Sequence, residues 1–293
     1  MNKILILGSS GQVGYYLTEI LGSEAIPLSR DEAPLNNIEQ LQKILSSYTP
    51  KAIINAAAYT LVDQAENEKE KAFMINATAP GILAQYCKTN DIPFVHFSTD
   101  YVFDGKKKQP YHEEDTPHPL NTYGKSKLAG EKEVLEKGNK YLIFRTSWVY
   151  SLRRKNFLKT ILQKVWKKEP LKIVNDQIGT PNWAFDIANI SIQCLNQALQ
   201  FNKFPKGIYH LSSQGETSWF GFTEKILSLL HQENYPLYPI STQELAPKVQ
   251  RPFYSVLGTQ LIQKTFQIEL PSWQESLKKA LSPINLGDLK NGS

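Results

Sequence analysis

The chain has 293 residues, of which 41% are hydrophobic and 21% are charged, and its formal net charge is +5. This composition is typical of a globular protein with one large core or two modest lobes. The basic runs Lys106–Lys108 and Arg153–Lys155 are too short to indicate a nucleic-acid surface, so we expect no nucleic-acid partner. No apolar stretch approaches the ~20 residues of a membrane helix, and we expect no membrane partner.

The two cysteines, Cys87 and Cys194, lie far apart in apolar helical patterns. Their spacing fits neither a metal site nor a redox pair, so we interpret them as core thiols of a reducing compartment. The loop His112–His118 contains acidic residues and histidines but lacks the spacing of a built metal site, and we predict no metal. These points together predict a cytoplasmic protein.

The first half of the chain alternates short apolar runs with helical patterns. The predicted strands are Lys3–Leu7, Ala25–Leu28, Ala52–Asn55, Phe94–Ser98 and Tyr141–Arg145, and the predicted helices between them are Gly11–Leu21, Ile38–Ser46, Glu68–Thr89 and Tyr123–Glu136. Nearly unbroken apolar strands that alternate with helices predict an α/β fold, a Rossmann-type doubly wound parallel sheet. Ligands of such sheets bind beyond the carboxyl ends of the strands.

After Tyr150 the alternation becomes less regular. Further helices are predicted at Asn156–Trp166, Phe185–Leu199, Phe220–Leu230 and Ser272–Ala280, and these last two are mixed with short apolar runs such as Gly207–Leu211. We therefore predict a first domain over residues 1–150, with a returning segment near 171–200. A smaller mixed α/β C-terminal lobe would comprise residues 201–293 together with about 151–170.

The stretch GSSGQVG, Gly8–Gly14, follows the first predicted strand and opens the first helix. Glycines at this spacing permit a tight turn and a close approach of the backbone to a pyrophosphate, which the helix N-terminus then attracts. The motif predicts a dinucleotide site, and a plain turn is the alternative. Arg30 follows the second strand, where an arginine favours a 2′-phosphate and hence NADPH. Asp31 and Glu32 beside it leave NADH open.

The pattern YGKSK places Tyr123 and Lys127 at positions i and i+4, on one face of a predicted helix. A free tyrosine has a pKa near ~10, and a neighbouring ammonium group favours the phenolate and lowers that pKa. The pair is therefore suited to deliver a proton to a carbonyl group under reduction. Considered alone, the same spacing is also typical of an ordinary surface helix.

The fourth predicted strand ends in the polar residues Ser98, Thr99 and Asp100. Because the strand is predicted to end at the ligand-binding edge of the sheet, these side chains are candidates for a site. Alternation along a strand shows that Ser98 and Thr99 face opposite sides, but it does not show which of them faces the ligand. His96 lies within the apolar part of the strand, and we interpret it as a core histidine.

Six motifs occur in the order found in extended short-chain dehydrogenases/reductases: GSSGQVG, NAAAYTLVDQAE, FSTDYVFDG, YGKSKLAGE, FRTSWVY and DQIGTP. The chain most closely resembles the dTDP-4-dehydrorhamnose reductase family within that superfamily. The resemblance implies NAD(P)H-dependent reduction of the C4 ketone of dTDP-6-deoxy-L-lyxo-4-hexulose to dTDP-L-rhamnose. It also implies a nucleotide-sugar substrate for the C-terminal lobe, NADPH or NADH as cofactor, and leaves a homodimer open.

The resemblance assigns roles to matching positions. Thr99 matches the catalytic hydroxyl, Tyr123 the proton donor and Lys127 its ribose-binding partner. With the glycine motif and Arg30 included, the expected cofactor contacts are Gly8, Gly11, Gln12, Val13, Gly14, Arg30, Ala57, Ala58, Tyr59, Thr60, Phe97, Tyr123 and Lys127. The expected substrate contacts are Thr99, Asp100 and Trp148. Asn76 matches an asparagine that holds the active-site backbone, although an ordinary exposed asparagine is the alternative.

Some positions depart from the family pattern. Ser151 stands where the family usually has glycine, and Asn182 and Trp183 stand where it has small or hydroxyl residues. The last two lie near the expected entry of the sugar, so a reductase of another 4-keto nucleotide sugar, or an epimerase-like relative, is an alternative. A non-catalytic regulatory subunit that binds cofactor is a further alternative, which the presence of Thr99, Tyr123 and Lys127 disfavours.

Overall fold

The computed structural model describes residues 3–282, and its centre is a six-stranded parallel sheet. The strands of the chain are β1 Ile4–Leu7, β2 Ala25–Leu28, β3 Ala52–Asn55, β4 Phe94–Thr99, β5 Tyr141–Thr146, β6 Val149–Tyr150, β7 Leu171–Val174, β8 Ile178–Gly179, β9 Asn182–Trp183, β10 Gly207–His210, β11 Thr217–Ser218 and β12 Leu237–Ile240. The sheet order is β10-β5-β4-β3-β1-β2, so the chain reverses direction of winding between β1 and β3. Ligands of doubly wound sheets bind in the crevice at this point. The predicted fold class is confirmed.

The helices flank this sheet and form the second lobe. They are α1 Gln12–Leu21, α2 Ile38–Ser46, α3 Val62–Ala65, α4 Lys69–Phe73, α5 Ala79–Thr89, α6 Thr122–Lys137, α7 Phe157–Trp166, α8 Ala184–Ala198, α9 Trp219–Leu229, α10 Thr242–Leu245, α11 Gln260–Phe266 and α12 Trp273–Leu281. The single helix predicted at 68–89 is instead α4 and α5 joined by a π-helical turn, Met74–Thr78. Pro80 contributes to this break because it has no N–H to offer the Asn76 carbonyl.

Alternation along the strands divides the core between the two faces of the sheet. Ile4 and Ile6 of β1 pack with α1 and α8 on one face, where Leu17 and Ile187 lie buried. Leu5 and Leu7 belong to the opposite cluster, which includes residues of α2, α5 and α6. Because both faces are covered, the strands carry apolar side chains on both sides, as the sequence pattern indicates.

A third buried cluster joins α7, α9 and α12 outside the main sheet. Short pairs of strands, β6 with β9 and β7 with β12, lie in this part of the chain. The predicted boundary at residue 201 does not coincide with this arrangement, because β10 pairs with β5 in the main sheet and α11 packs against the same core. Likewise β7, placed in the returning segment, pairs with β12 instead. The division into two domains stays a prediction, and residues 283–293 of the predicted lobe lie outside the described residues.

Within residues 3–282, no helix combines the length and the apolar character needed to cross a membrane. The same residues contain no group of three or more histidine, cysteine or acidic side chains arranged to hold a metal ion. In the loop His112–His118, Asp115 accepts hydrogen bonds from the His112 N–H and from Lys107.

Candidate active site

Two glycines of the stretch Gly8–Gly14, after β1, have no room for a side chain. Gly8 has φ +79°, and a Cβ atom added there would lie 2.7 Å from the backbone of Ala57. A Cβ atom on Gly14 would lie 2.1 Å from the Gly8 carbonyl oxygen, so α1 packs directly against the loop. In the described chain, no side chain caps the N-terminus of α1 at Gly11, which leaves backbone N–H groups for an anion. The loop therefore fits the pyrophosphate of a dinucleotide.

Gln12, in the first turn of α1, ties this loop to the segment after β6. Its Oε1 atom accepts hydrogen bonds from Ser151 Oγ and Asn156 Nδ2, each 2.8 Å long, and its Nε2 atom donates to the Val149 carbonyl. Ser151, where the family usually has glycine, thus contributes a hydroxyl that orients Gln12. Arg30 is exposed just beyond β2, whose last carbonyl, Leu28 O, accepts from the Gly8 N–H at 2.9 Å.

The loop after β3, Ala57–Thr60, is held by a buried asparagine from the π-helical turn. Asn76 accepts a hydrogen bond from the Tyr59 N–H at 2.8 Å and donates to the Tyr59 carbonyl at 3.0 Å. Its Nδ2 atom also lies 3.0 Å from Ser126 Oγ on α6. Asn76 is therefore not an ordinary exposed residue, because it joins the expected cofactor loop to the helix that carries Tyr123.

The structure separates the two hydroxyls at the end of β4. Ser98 faces α6 and donates to Glu131 Oε1 at 2.5 Å. Thr99 Oγ1 donates to Asp100 Oδ1 at 3.0 Å, accepts from the Tyr101 N–H at 3.2 Å, and also interacts with the Tyr123 side chain. Thr99, not Ser98, therefore lies beside the tyrosine.

Helix α6 begins at a well-defined N-terminus that positions Tyr123 in its first turn. Asn121 caps the helix by accepting from the Gly124 N–H at 2.8 Å. Glu66, to which the sequence assigns no role, accepts from both the N–H and the hydroxyl of Thr122 at 2.7 Å. Four residues after the tyrosine, Lys127 is buried on the same face, with 2% of its surface exposed.

Burial shifts the pKa values of both Tyr123 and Lys127. Withdrawal from water raises the pKa of Tyr123 to about 12, while its interaction with Thr99 works in the opposite direction. The sequence suggests that Lys127 lowers this pKa, but the Lys127 ammonium group instead donates to the Phe97 carbonyl at 2.6 Å. Burial lowers the pKa of Lys127 to about 8, and the nearby Glu131 opposes that effect. Tyr123 thus keeps its proton at neutral pH, as a proton donor must.

Trp148, the expected substrate contact after β5, forms a stacked pair with Trp219. Trp148 follows β5 with φ +44°, an unusual backbone conformation for a large side chain, and its ring lies 3.6 Å from that of Trp219 at an angle of 7°. A Cβ atom on Gly179 would lie 2.6 Å from the Trp148 indole, so glycine leaves room for the stack. Trp219 is not among the site residues expected from the sequence.

Asn182 is not exposed at the expected entry of the sugar. It is completely buried, and its Nδ2 atom donates to the carbonyls of Ser147 and Thr180 at 2.7 and 2.9 Å. Its Oδ1 atom accepts from the Ser213 N–H at 2.6 Å. Asn182 therefore joins three chain segments, and its departure from the family pattern has a structural explanation.

Sequence reasoning missed a buried charged network behind the site. Arg145 on β5 donates through Nε and Nη2 to the two oxygens of Glu131, at 2.9 and 2.7 Å. Glu131 lies eight residues after Tyr123, so the helical period places it on the same face of α6. This spacing is the feature of the sequence from which the position of Glu131 near the site could have been predicted. The partner strand, in contrast, follows only from the packing of α6 on the sheet.

The family of the chain follows from comparison with known proteins. The family model described as the RmlD substrate binding domain matches residues 1–286. A dTDP-4-dehydrorhamnose reductase from Burkholderia thailandensis is 43% identical over 284 residues, which cover 93% of this chain and 95% of that protein. One from Escherichia coli K12 is 36% identical, with coverage of 96% and 98%. The chain belongs to the dTDP-4-dehydrorhamnose reductase family.

Solved structures of this family agree with the fold. The dTDP-4-dehydrorhamnose reductase from Bacillus anthracis, solved in complex with NADP, superposes with a TM-score of 0.91 at 35% identity, covering 97% of this chain and 100% of that one. A UDP-glucose 4-epimerase from Thermus thermophilus superposes with a TM-score of 0.78 at 16% identity, which is a likeness of fold alone. The resemblance to dTDP-4-dehydrorhamnose reductases that the motifs indicate is confirmed.

Proposed function

We propose that this protein is the NAD(P)H-dependent reductase that converts dTDP-6-deoxy-L-lyxo-4-hexulose, or dTDP-4-dehydrorhamnose, to dTDP-L-rhamnose. The observation that carries the proposal is the placement of Tyr123 beside Thr99, with the buried Lys127 one helical turn further on. The names of the relatives give the substrate class, a nucleotide sugar. A homodimer and a cytoplasmic location remain predictions.

The cofactor would lie on the loop Gly8–Gly14 and beside the loop Ala57–Thr60, with Phe97 next to it. The uncapped N-terminus of α1 attracts its pyrophosphate, and the exposed Arg30 offers a cation for a 2′-phosphate. The complex of the Bacillus anthracis relative with NADP supports NADPH, and NADH stays open. When bound, the reduced nicotinamide supplies the hydride for the ketone carbon.

The side chains at the end of β4 and the start of α6 would manage the proton. Tyr123, which is protonated at neutral pH, donates its proton to the ketone oxygen as negative charge develops there. Thr99 hydrogen-bonds the same oxygen by turning its hydroxyl away from Asp100 Oδ1, its acceptor in the structure. Lys127 holds the ribose hydroxyls and, as a cation, stabilises the tyrosinate that remains.

On the substrate side, Trp148 would pack against the sugar nucleotide and Asp100 would contact the sugar. The stack with Trp219 fixes the orientation of the Trp148 ring. An aromatic face of this kind binds the apolar face of a ring while nearby polar groups set its orientation.

Tyr123→Phe tests the proposal. With purified dTDP-4-dehydrorhamnose, we expect kcat to fall by at least about 10²-fold because the general acid is lost. The Kd for NADPH, measured by fluorescence titration, should stay close to that of the wild type. Activity is followed by loss of reduced-nicotinamide absorbance, with NADPH and NADH in turn, and the product is identified by chromatography.

Tyr101→Phe is the matched control, because the Tyr101 ring lies 5.7 Å from that of Tyr123 but has no lysine one helical turn away. We expect it to retain activity. Near-full activity of Tyr123→Phe would refute the assigned proton donor. A wild-type protein that oxidises no cofactor with this sugar would refute the proposed function itself.

A further inference from the structure

His96 is a completely buried residue of β4 that contacts the lysine of the site. Its Nε2 atom lies 3.4 Å from Lys127 Nζ, and its Nδ1 atom lies 3.2 Å from Asn55 Nδ2 at the end of β3. The Asn55 carboxamide is itself held, because its Oδ1 atom accepts from the Ala57 N–H at 3.2 Å. A chain of polar contacts therefore runs from the expected cofactor loop through His96 to Lys127.

The contact follows from the match between one strand and one helix. His96 and Ser98 lie two residues apart on the same face of β4, whereas Lys127 and Glu131 lie one turn apart on α6. His96 therefore contacts Lys127, and Ser98 contacts Glu131, to whose Oε1 atom Ser98 Oγ donates at 2.5 Å. The Lys127 amine is thus enclosed by the His96 ring and by the Phe97 carbonyl 2.6 Å away.

The imidazole ring is neutral in this position. Burial and the nearby Lys127 ammonium hold the pKa of His96 well below its usual range. A neutral ring has one donor and one acceptor nitrogen. Because Asn55 Oδ1 accepts from the Ala57 N–H, Asn55 Nδ2 donates to His96 Nδ1, so the ring carries its proton on Nε2 and presents it to the Lys127 amine, which can accept it in its neutral form.

We propose that His96, supported by Asn55, is a positioning residue that holds the Lys127 amine at the carboxyl end of β4. The inference rests on the proposed function, in which that amine binds the cofactor ribose and stabilises the tyrosinate. A lysine side chain has four rotatable bonds, so two fixed partners limit the positions of its amine before cofactor binds. A displacement of about 1 Å at such a group can cost about 10²-fold in rate.

A packing role is the competing explanation, because the His96 ring also stacks on Phe94 with centroids 5.9 Å apart. Two substitutions separate the explanations. In His96→Asn, the new carboxamide reaches about as far as the Nδ1 atom of histidine, so it can pair with Asn55 but not with Lys127. In His96→Gln, the side chain is one carbon longer and its carboxamide reaches the position of Nε2, beside Lys127. Both variants leave similar packing around Phe94.

We expect His96→Asn to lower kcat by about 10- to 100-fold with little change in the KM for the sugar, and to weaken NADPH binding in a fluorescence titration. His96→Gln should retain kcat to within about threefold because its carboxamide restores the contact with Lys127. In a Lys127→Met background, His96→Asn should not weaken NADPH binding further, since the lysine through which it acts is absent.

Ser276→Ala is the control for loss of a buried hydrogen bond, because Ser276 on α12 is equally buried and donates to Asp186 Oδ2 at 2.5 Å, away from Lys127. It should lower the thermal midpoint without lowering kcat. Equal activities of His96→Asn and His96→Gln, or an undiminished effect of His96→Asn on NADPH binding in the Lys127→Met background, would overturn the inference. These outcomes presuppose an active wild type, so they are distinct from failure of the proposed function.

Discussion

The Asp100 carboxyl group lies beside Thr99 at the end of β4, with 2% of the residue exposed. Burial raises its pKa to about 7, although interactions with the Ser255 and Thr99 side chains favour the ionised form. Among residues 3–282, its Oδ2 atom has no hydrogen-bond partner. A buried polar atom of this kind costs stability, which is a reason to expect a polar ligand group at this position.

The pKa of Asp100 predicts a stability that depends on pH. The pKa in the folded protein, about 7, lies above the ordinary value of 3.8 for an aspartate side chain, so the folded state binds more protons than the unfolded state between these pH values. The free energy of unfolding should therefore decrease as pH rises from about 4 to about 7, by up to about 4 kcal/mol from this group. Urea unfolding of the wild type and of Asp100→Asn across this range measures the difference. A difference that stays constant with pH would contradict the prediction.

At the scale of the element, α6 organises the site by its period and by its N-terminus. Tyr123, Lys127 and Glu131 recur every four residues and share one face of the helix. Their positions along the sheet depend on where the helix starts, and this point is set by the caps from Asn121 and Glu66. Asn121 also donates to the Gln250 carbonyl at 2.9 Å, which links the helix start to a distant loop.

Removal of this cap should affect both stability and catalysis. We expect Asn121→Ala to lower the free energy of unfolding by about 1 kcal/mol and to lower kcat, because the first turn that carries Tyr123 frays. Ser272→Ala is the matched control, since Ser272 caps α12 in the same way and lies outside the site. It should cost about as much stability but leave kcat unchanged. Equal effects of the two variants on kcat would contradict a specific role for the α6 cap.

At the scale of the whole molecule, a buried ion pair connects the site to the sheet. Glu131 and Arg145 have side-chain exposures of 1% and 2%, and Arg145 Nη1 also lies 3.5 Å from His210 Nε2 on β10. The network thus spans α6, β4, β5 and β10. A buried pair of this kind is costly to break, because removal of one partner leaves the other charge without compensation.

Glu131→Gln should therefore lower the free energy of unfolding by about 3–5 kcal/mol. Glu133→Gln is a suitable comparison on the same helix, because Glu133 pairs with Lys137 at 2.5 Å in a surface ion pair whose side chains are about one third exposed. That substitution should cost at most about 1 kcal/mol. Urea unfolding at one pH measures both values, and a similar cost for the two would show that the buried network is not what stabilises the molecule.

Much of the fold was predictable from local pattern. The predicted strands Ala25–Leu28 and Ala52–Asn55 and the helix Ile38–Ser46 agree with the structure at both ends. The prediction of one helix over 68–89 was wrong at the π-helical turn, where Asn76 points inward and hydrogen-bonds Tyr59. Local periodicity does not report such a break, because the contacts of Asn76 with Tyr59 and Ser126 join residues 17 and 50 positions apart.

The sequence by itself determined the parallel sheet, the glycine-rich loop and the shared face of Tyr123 and Lys127, because each depends on a period or a spacing within one segment. Only the tertiary structure decided that Thr99 lies beside Tyr123 while Ser98 bonds Glu131, and that Lys127 lies between His96 and the Phe97 carbonyl. It also placed β10 in the main sheet. These features depend on which strand face meets which helix, and that choice is made by packing between segments that are distant in the chain.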